Sequence, residues 1–530
     1  MVRVRPKGNR MSLARNVATV GVATLLSRAL GFVRDVMIAV VFGAGIRADA
    51  FFVAFQLANL ARRMLAEGAL NAAVVPLYLR ARDRGGEAAA GAFAGQLIGS
   101  LAAGLAAVVA VLALIMPAIV LLLAPGFAVN GPRMTLAVEL ARLMLPYLLL
   151  AGPLAVLMGV LNANHRFATA AFATAAFNAT MLAALLAIFL LDTGDSAASG
   201  RILAIGVAAA GISQFVLVGI AVWTGAQRVT PLRISFGPQM RRFLALAIPG
   251  LIASGIPQIT VIAGVMAASA SPSAVSWIYY ANRLIELPLG IVGIAVGTVL
   301  VPAFAHAVRS GDRAEMASVE SRGLELALGL ALPAAIALAA LAEPIVRTLF
   351  EHGAFLPEDT TATALALAAF ACGLPGHVLV KAFSPVFFAR EDTATPMRAA
   401  LFGFIIAIAG SLALMPLAGH VGVAVAIAVS GWASALLLGI QIKRRIGFAI
   451  DSAARRRLPR IVLAALLMGA AVKGADATLA PWLASGAGTL ARVLALAAIM
   501  ALGLAVYVGL LNVLKVSSLR ELAAALRKQL

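Results

Sequence analysis

Charge is what this sequence has least of. Asp, Glu, Lys and Arg make up 12% of its 530 residues, while hydrophobic residues make up 62%. A soluble chain carries about 25% charged residues, so a soluble enzyme with a single membrane anchor is excluded, as are disorder and a collagen-like repeat. Cysteine is almost absent. Cys372 stands alone in an apolar run, which rules out a disulfide framework and leaves no thiol pair for a metal. The five histidines, His165, His306, His352, His377 and His420, are too scattered for metal-ligand spacing. No Walker motif is present, and the Gly43-Ala-Gly45 turn follows no strand, so it is no nucleotide fingerprint. No cofactor is therefore expected. Acidic residues are scarce too: 22 against 42 Lys and Arg, for a net charge of +20. On a soluble chain that excess would point to nucleic acid. On a chain this apolar the cations act as topology signals, and no nucleic-acid partner is expected.

What is present is one apolar run after another. Crossing about 30 Å of hydrocarbon takes roughly 20 residues of helix. Fourteen runs qualify: 17–42, 49–79, 91–124, 135–162, 168–191, 201–224, 240–269, 274–307, 323–350, 358–389, 396–417, 419–442, 458–475 and 486–514. The first follows a basic N-terminus, outlasts a signal peptide and lacks an A-x-A cleavage site, so it reads as a retained span. The expected class is an all-α polytopic membrane protein of about 14 transmembrane helices. Assigned to alternating sides, twenty-nine of the 42 cations fall with the two termini and four (Arg47, Arg133, Arg201, Lys473) fall opposite. Short basic loops stay in the cytoplasm, so both termini are expected there.

The two longest loops on the basic side divide the chain into 1–224, with a basic amphipathic N-terminus and six spans, 225–442, with six more, and 443–530, with two. A faint repeat supports the even division: Ala50 to Pro76 and Ser276 to Pro302 each end in a Val-Pro step before a basic stretch, 226 positions apart. Parallel repeats of this kind accompany alternating access. The last two spans, with few internal charges, read as a lipid-facing appendage. Leu519, Leu522, Leu526 and Leu530 lie at helical spacing in the C-terminal tail, either as an amphipathic helix on the membrane surface or as a plain solvated one.

Nine cations fall within or at the edges of spans: Arg28, Arg34, Arg62, Arg63, Arg142, Arg283, Arg347, Lys381 and Arg492. Several can snorkel from span ends. Arg28, Arg34, Arg62, Arg63 and Arg283 are deeper, where a charge costs about 2.5–3.5 kcal/mol by insertion scales. Local pairing accounts for some. Arg63 and Glu67 are i,i+4, Arg283 and Glu286 are i,i+3, and Asp49 after a Gly-rich turn reads either as a helix cap or as a functional acid. Arg28, Arg34 and Arg62 have no comparable local acid, since Asp35, adjacent to Arg34, points to another face. Arginines converging from several spans suit a phosphorylated ligand, because the planar guanidinium donates bidentate hydrogen bonds and stays charged.

The runs Ser27–Asp35, Phe42–Gly45, Ala48–Phe55 and Arg62–Ala69 resemble the MurJ (MviN) family of the multidrug/oligosaccharidyl-lipid/polysaccharide exporter superfamily. Leu161–Phe167, Ser276–Pro288 and Lys381–Pro396 match it too. The resemblance implies a bacterial inner-membrane flippase that moves lipid II, the undecaprenyl-diphosphate peptidoglycan precursor, from the cytoplasmic to the periplasmic leaflet. It also implies two six-helix lobes around a central cavity, and two further helices forming a groove for the lipid tail. It places the family's substrate-binding arginines on Arg28, Arg34, Arg62 and Arg283, with Asp35, Asp49, Arg63, Glu67, Asn282 and Glu286 as supporting or gating groups. Asn282 departs from the family, where an acid is common. The span 240–269 has no acid for a carboxylate cation site. Membrane potential, worth about 2.3 kcal/mol per charge per 100 mV, and a monovalent counter-ion both remain open as the drive. Membrane lipids and cell-wall synthesis proteins are the other partners implied. Three alternatives stand beside this reading. A flippase for another polyprenyl-diphosphate glycan differs only in its cargo, and a multidrug/cation antiporter calls for an acidic cavity. A scaffold recruiting cell-wall enzymes would tolerate loss of the cavity charge.

Overall fold

The computed structural model describes residues 9–66, 69–225, 229, 233–310, 312–447 and 451–516. The first eight residues, Glu67 and the Leu-spaced C-terminal tail lie outside them. The described residues form helices and no strand. They divide into two compact units, Met1–Ile262 and Ala263–Leu530.

The first unit holds α1 (Asn9–Phe42), α2 (Ile46–Ala61), a π-helical turn (Arg62–Ala66), α3 (Ala69–Leu123), α4 (Pro132–Met144), α5 (Pro146–Ala163), α6 (Phe167–Leu190), α7 (Ala197–Trp223) and the start of α8 (Pro238–Ala268). The second continues with the end of α8, then α9 (Ala274–Ser310), α10 (Arg313–Ala340), α11 (Ala342–Phe350), α12 (Pro357–Phe388), α13 (Ala394–Ile446), α14 (Ser452–Thr478), α15 (Ala480–Leu483) and α16 (Thr489–Val513). Nine helices among the described residues are long and apolar enough to cross a membrane.

The backbone departs from the expected spans in instructive ways. The run 49–79 is not one helix: α2 gives way to the π-helical turn, and α3 then carries the chain on. α3 and α13 are each too long for one crossing and bend at glycine. In α3 the break falls at Gly85 and Gly86, the latter at φ 67°. In α13 it falls at Gly419, at φ 56°. Both positive φ values suit a residue without Cβ. Two other runs break once, at Leu145 between α4 and α5 and at Leu341 between α10 and α11. Helix starts follow ordinary capping chemistry. Pro132 and Pro357 open α4 and α12, while Asp312 and Asp451 accept the backbone N–H of Ala314 and Ala454 at 2.8 and 2.6 Å.

The core of the first unit brings α3, α5, α7 and the start of α8 together around Tyr78, Phe93, Leu97, Leu154, Val160, Val218 and Phe243. The segment before α8 lies on α3: Ser100 Oγ accepts from the Ser235 N–H at 3.0 Å, and Gln96 Nε2 donates to the Ser235 carbonyl at 3.3 Å.

In the second unit, α12 packs on the second leg of α13 through small residues. A Cβ on Gly376 would fall 2.7 Å from the Trp432 backbone nitrogen, and one on Gly373 would fall 2.4 Å from Ala428 Cα. Lipid tails give helices no hydrophobic reason to associate, so close backbone approach supplies the attraction. The last two long helices are not held by apolar contact alone. Tyr507 on α16 donates to the Gly329 carbonyl at 2.7 Å. Arg492, one of the nine cations within or at the edges of spans, is buried at 6% exposure, with Nη1 3.8 Å from Glu351 Oε1 and donating to the Arg347 carbonyl at 3.4 Å. Outward faces, including Leu463, Leu466, Leu494 and Leu504, are exposed and apolar, as a lipid-facing surface requires.

Replacing Gly376 by Ala forces the α12–α13 contact apart and is expected to cost about 1–3 kcal/mol. Gly104→Ala, where nothing lies within 4 Å of the new Cβ, is expected to leave the thermal unfolding midpoint in detergent unchanged or raised. Equal midpoints for the two variants would refute the close-packing account.

Candidate functional site

Arg34 and Asp35 of α1 and Arg62 after α2 assemble around an aromatic stack. Asp35 and Arg34 are buried, at 0% and 5% exposure. Arg34 uses all three of its nitrogens: Nε and Nη2 donate to Asp35 Oδ1 at 3.0 and 2.7 Å, and Nη1 donates to Asn178 Oδ1 on α6 at 2.9 Å. Asn178 completes the link to α1 by donating to the Ser27 carbonyl at 2.9 Å. The expectation that Asp35 points away from Arg34 is therefore corrected. Successive helix positions diverge by about 100°, but the long arginine side chain bends back across that angle.

The guanidinium of Arg34 also lies over the ring of Phe55, 5.4 Å from its centroid. Phe55 stacks on Phe177 at 6.5 Å, and Arg62 lies over Phe177 at 5.6 Å. Two arginines from different helices thus sit on two stacked rings, each in reach of a cation–π attraction worth about 2 kcal/mol or more when desolvated. Tyr147 on α5 meets the edge of Phe177 at 5.6 Å and donates to Gln214 of α7 at 3.3 Å. Phe177 is therefore the point where α2, α5 and α6 meet.

Arg62 and Arg63 open the π-helical turn and are half-buried. Arg62 Nη2 donates to Asn59 Oδ1 at 3.2 Å. π-Helical turns recur at functional sites, because the wider coil re-aims side chains. Nothing in the sequence signalled this one. The Arg63–Glu67 pairing falls on Glu67, outside the described residues. Arg28 is half-buried on α1 and, among the described residues, has no ion-pair or hydrogen-bond partner. It is the free cation of the group.

Asp49 is fully buried, one turn inside α2. Gly45 occupies the N-cap position, with no side-chain cap, so capping does not explain Asp49. Its Oδ2 lies 3.6 Å from Arg133 Nη1 on α4, and Arg133 sits over Phe127 at 4.6 Å. Arg133 thus does more than mark topology, a role that sequence reasoning missed. Asn178 was missed as well, though a lone amide in the run 168–191 was a usable signal.

In the second unit, Arg283 and Glu286 pair at 2.9 Å as the i,i+3 spacing suggested, and Asn282 beside them is half-buried. Trp277, earlier on α9, donates to Asp359 at 3.0 Å and packs against His420 at 4.7 Å with the rings tilted by 56°. No group of three or more His, Cys, Asp or Glu able to hold a metal occurs among the described residues. The half-buried guanidiniums of Arg28 and Arg62 in the first unit and Arg283 in the second can meet an anion, while the buried Arg34–Asp35 pair holds α1.

Residues 38–491 match the family described as lipid II flippase MurJ. A probable lipid II flippase MurJ of Rhizobium meliloti is 42% identical over 498 residues, covering 94% of this chain and 93% of the relative. A lipid II flippase MurJ of Burkholderia cenocepacia is 33% identical, covering 95% and 98%. Among solved structures, a lipid II flippase MurJ in an inward closed conformation superposes with a TM-score of 0.77 at 23% identity, covering 93% of this chain and 98% of that one. An inward-facing multidrug resistance MATE transporter of the MOP superfamily superposes at 0.65 with 14% identity, covering 84% and 98%. These two likenesses concern the fold.

Asp35→Asn leaves a buried guanidinium without its anion, and the expected loss is about 3–5 kcal/mol of stability. Combining it with Arg34→Gln should recover much of that loss. Additive losses in the double variant, read from thermal unfolding, would mean the pair is not coupled.

Proposed function

The chain belongs to the lipid II flippase MurJ family, a family of transporters and not of enzymes, and we propose that it moves lipid II across the bacterial inner membrane by alternating access. The observation that carries the site assignment is the division of labour among the arginines. Arg34 is buried and uses every nitrogen on Asp35 and Asn178, so it fixes α1 against α6. Arg28 and Arg62 on the first unit are half-buried, as is Arg283 on the second, where Glu286 balances it. In this reading Arg28, Arg62 and Arg283 bind the diphosphate, Arg63 adds positive potential, and Asp49 with Arg133 braces α2. Glu67, Asn282 and Glu286 tune the local charge.

The transport lobes are 1–224 and 225–442, six spans each. The helices of 443–530 form a groove for the polyprenyl tail, and both termini are cytoplasmic. Membrane potential or a monovalent counter-ion drives the cycle, and cell-wall synthesis proteins are the expected neighbours. A multidrug antiporter calls for acids to hold cationic drugs, whereas the acids here, Asp35, Asp49 and Glu286, are engaged by arginines.

The test is lipid II exposure on the outer leaflet of spheroplasts, measured beside thermal unfolding of the same purified variants. Arg28→Ala and Arg62→Ala should each reduce exposure by about tenfold or more, as loss of a charge-assisted contact worth about 1.5–3 kcal/mol predicts. Arg28→Ala should do so with its melting temperature kept. Arg34→Ala should lose both. Normal exposure with all three replaced would overturn the site.

A further inference from the structure

A cavity of about 460 Å³ lies in the first unit between α3 and α4, away from the arginines on the aromatic stack. It is lined by Pro117, Val129, Met134, Val138 and Leu143 with Asn130, Thr135, Glu139 and Arg142. Its cause is readable in the chain. Pro117 has no N–H, so the carbonyl of Ala113, four residues earlier, loses its helical donor. Arg142 supplies the replacement across the gap, Nε donating to the Ala113 oxygen at 3.0 Å.

That bond uses one of five N–H donors on the guanidinium. Arg142 is otherwise exposed, with no ion pair among the described residues. The one carboxylate nearby, Glu139, is held by Arg201, Nε to Oε1 at 2.5 Å and Nη2 to Oε2 at 3.5 Å, so its charge is balanced. On the Pro117 side of α3, nearer the membrane centre, Ala107, Ala110 and Leu114 are exposed and form an apolar stripe at helical spacing.

The depth fits a lipid headgroup. The second leg of α3, 87–123, is about 55 Å long at 1.5 Å per residue, roughly 25 Å more than the hydrocarbon needs. Shared between its two ends, that excess leaves the last ~12 Å of helix in the headgroup region. Ala113 lies about 15 Å from the end of α3, and the Arg142 side chain leans toward the start of α4, which is the same face of the membrane. The guanidinium therefore sits at the boundary between headgroups and tails.

We propose that this cavity is a structural phospholipid site, in which the free N–H groups of Arg142 hold the lipid phosphate and an acyl chain runs along Leu114, Ala110 and Ala107. The geometry combines a fixed cation with an apolar channel below it, which an amphipathic phosphodiester fills and a free anion does not. The site is independent of the transport reading.

The probe is phosphatidylglycerol titrated into the delipidated full-length protein in detergent, read by thermal unfolding and by lipid retained in native mass spectrometry. Binding should be lost by about tenfold in Arg142→Gln, which removes the charge but keeps an N–H for the Ala113 carbonyl. Arg142→Lys should lose less. Leu143→Trp, which fills the cavity and keeps the arginine, should also weaken binding and serves if the Gln variant does not fold. Diacylglycerol of the same chains and inorganic phosphate should each give no comparable protection. Protection by diacylglycerol equal to that by phosphatidylglycerol would reduce the site to an apolar groove. Protection by phosphate alone would reduce it to a bare anion site. Unchanged binding in both Arg142→Gln and Leu143→Trp would leave Arg142 as a carbonyl cap only. Any of these three results overturns the proposal.

Discussion

An arginine inside a membrane protein must find its partners within the protein, because hydrocarbon supplies none. Placing the charge there costs about 2.5–3.5 kcal/mol even by the mildest scale, and the first unit is organised around meeting that cost. Arg34 takes Asp35 and Asn178, and Asn178 can serve only because its amide also reaches the Ser27 carbonyl. The requirement of one side chain thus ties α1 to α6. The ring faces of Phe55 and Phe177 carry the positive field of Arg34 and Arg62, and Phe177 passes the constraint on to Tyr147 and Gln214. The polar network and the aromatic packing are one structure, since neither the rings nor the guanidiniums would hold these positions alone.

The backbone irregularities belong to the same account. A continuous helix satisfies its own hydrogen bonds, and every interruption within the membrane must be made good from elsewhere. Where α3 bends, glycine takes the positive φ at Gly86, next to the basic stretch of Arg80, Arg82 and Arg84. Where Pro117 removes a donor, Arg142 replaces it. Where α13 bends at Gly419, His420 turns to the Ala362 carbonyl at 2.9 Å and to the Trp277 ring. The wider π-helical turn carries Arg62 and Arg63, so this departure sits at the proposed site.

Much of this was legible in the sequence, and the parts that were not share a cause. Apolar runs located the membrane helices, because a span of about 20 residues is set by bilayer thickness alone. The i,i+3 pair of Arg283 and Glu286 was legible because helix geometry fixes that contact. Asp49 with Arg133 was not, since 84 positions separate them and only the packing of α2 on α4 brings them together. The pairing of Arg492 was hidden for the same reason: its anion, Glu351, is far away in sequence. Asp35 was misread in the opposite sense. Helical phase separates it from Arg34, but phase describes where Cβ atoms point and not how far a guanidinium reaches. The breaks at Gly85 and Gly86 and at Gly419 were legible, because each falls between two separate apolar runs.

Burial alone does not distinguish structural from functional arginines. Arg34 and Arg492 are both buried and both paired, one holding α1 on α6, the other holding α16 on α11. Removing their partners should weaken folding. Arg28 and Arg142 are less buried and keep donors in hand, and a guanidinium with unused N–H groups at an apolar surface is stable only while something anionic or aqueous is near. The informative quantity is therefore the number of donors left unspent after the protein has satisfied its own needs. By that measure Arg34, the most deeply buried of the first unit's arginines on the aromatic stack, spends its nitrogens on holding α1 to α6, and Arg28 keeps its own.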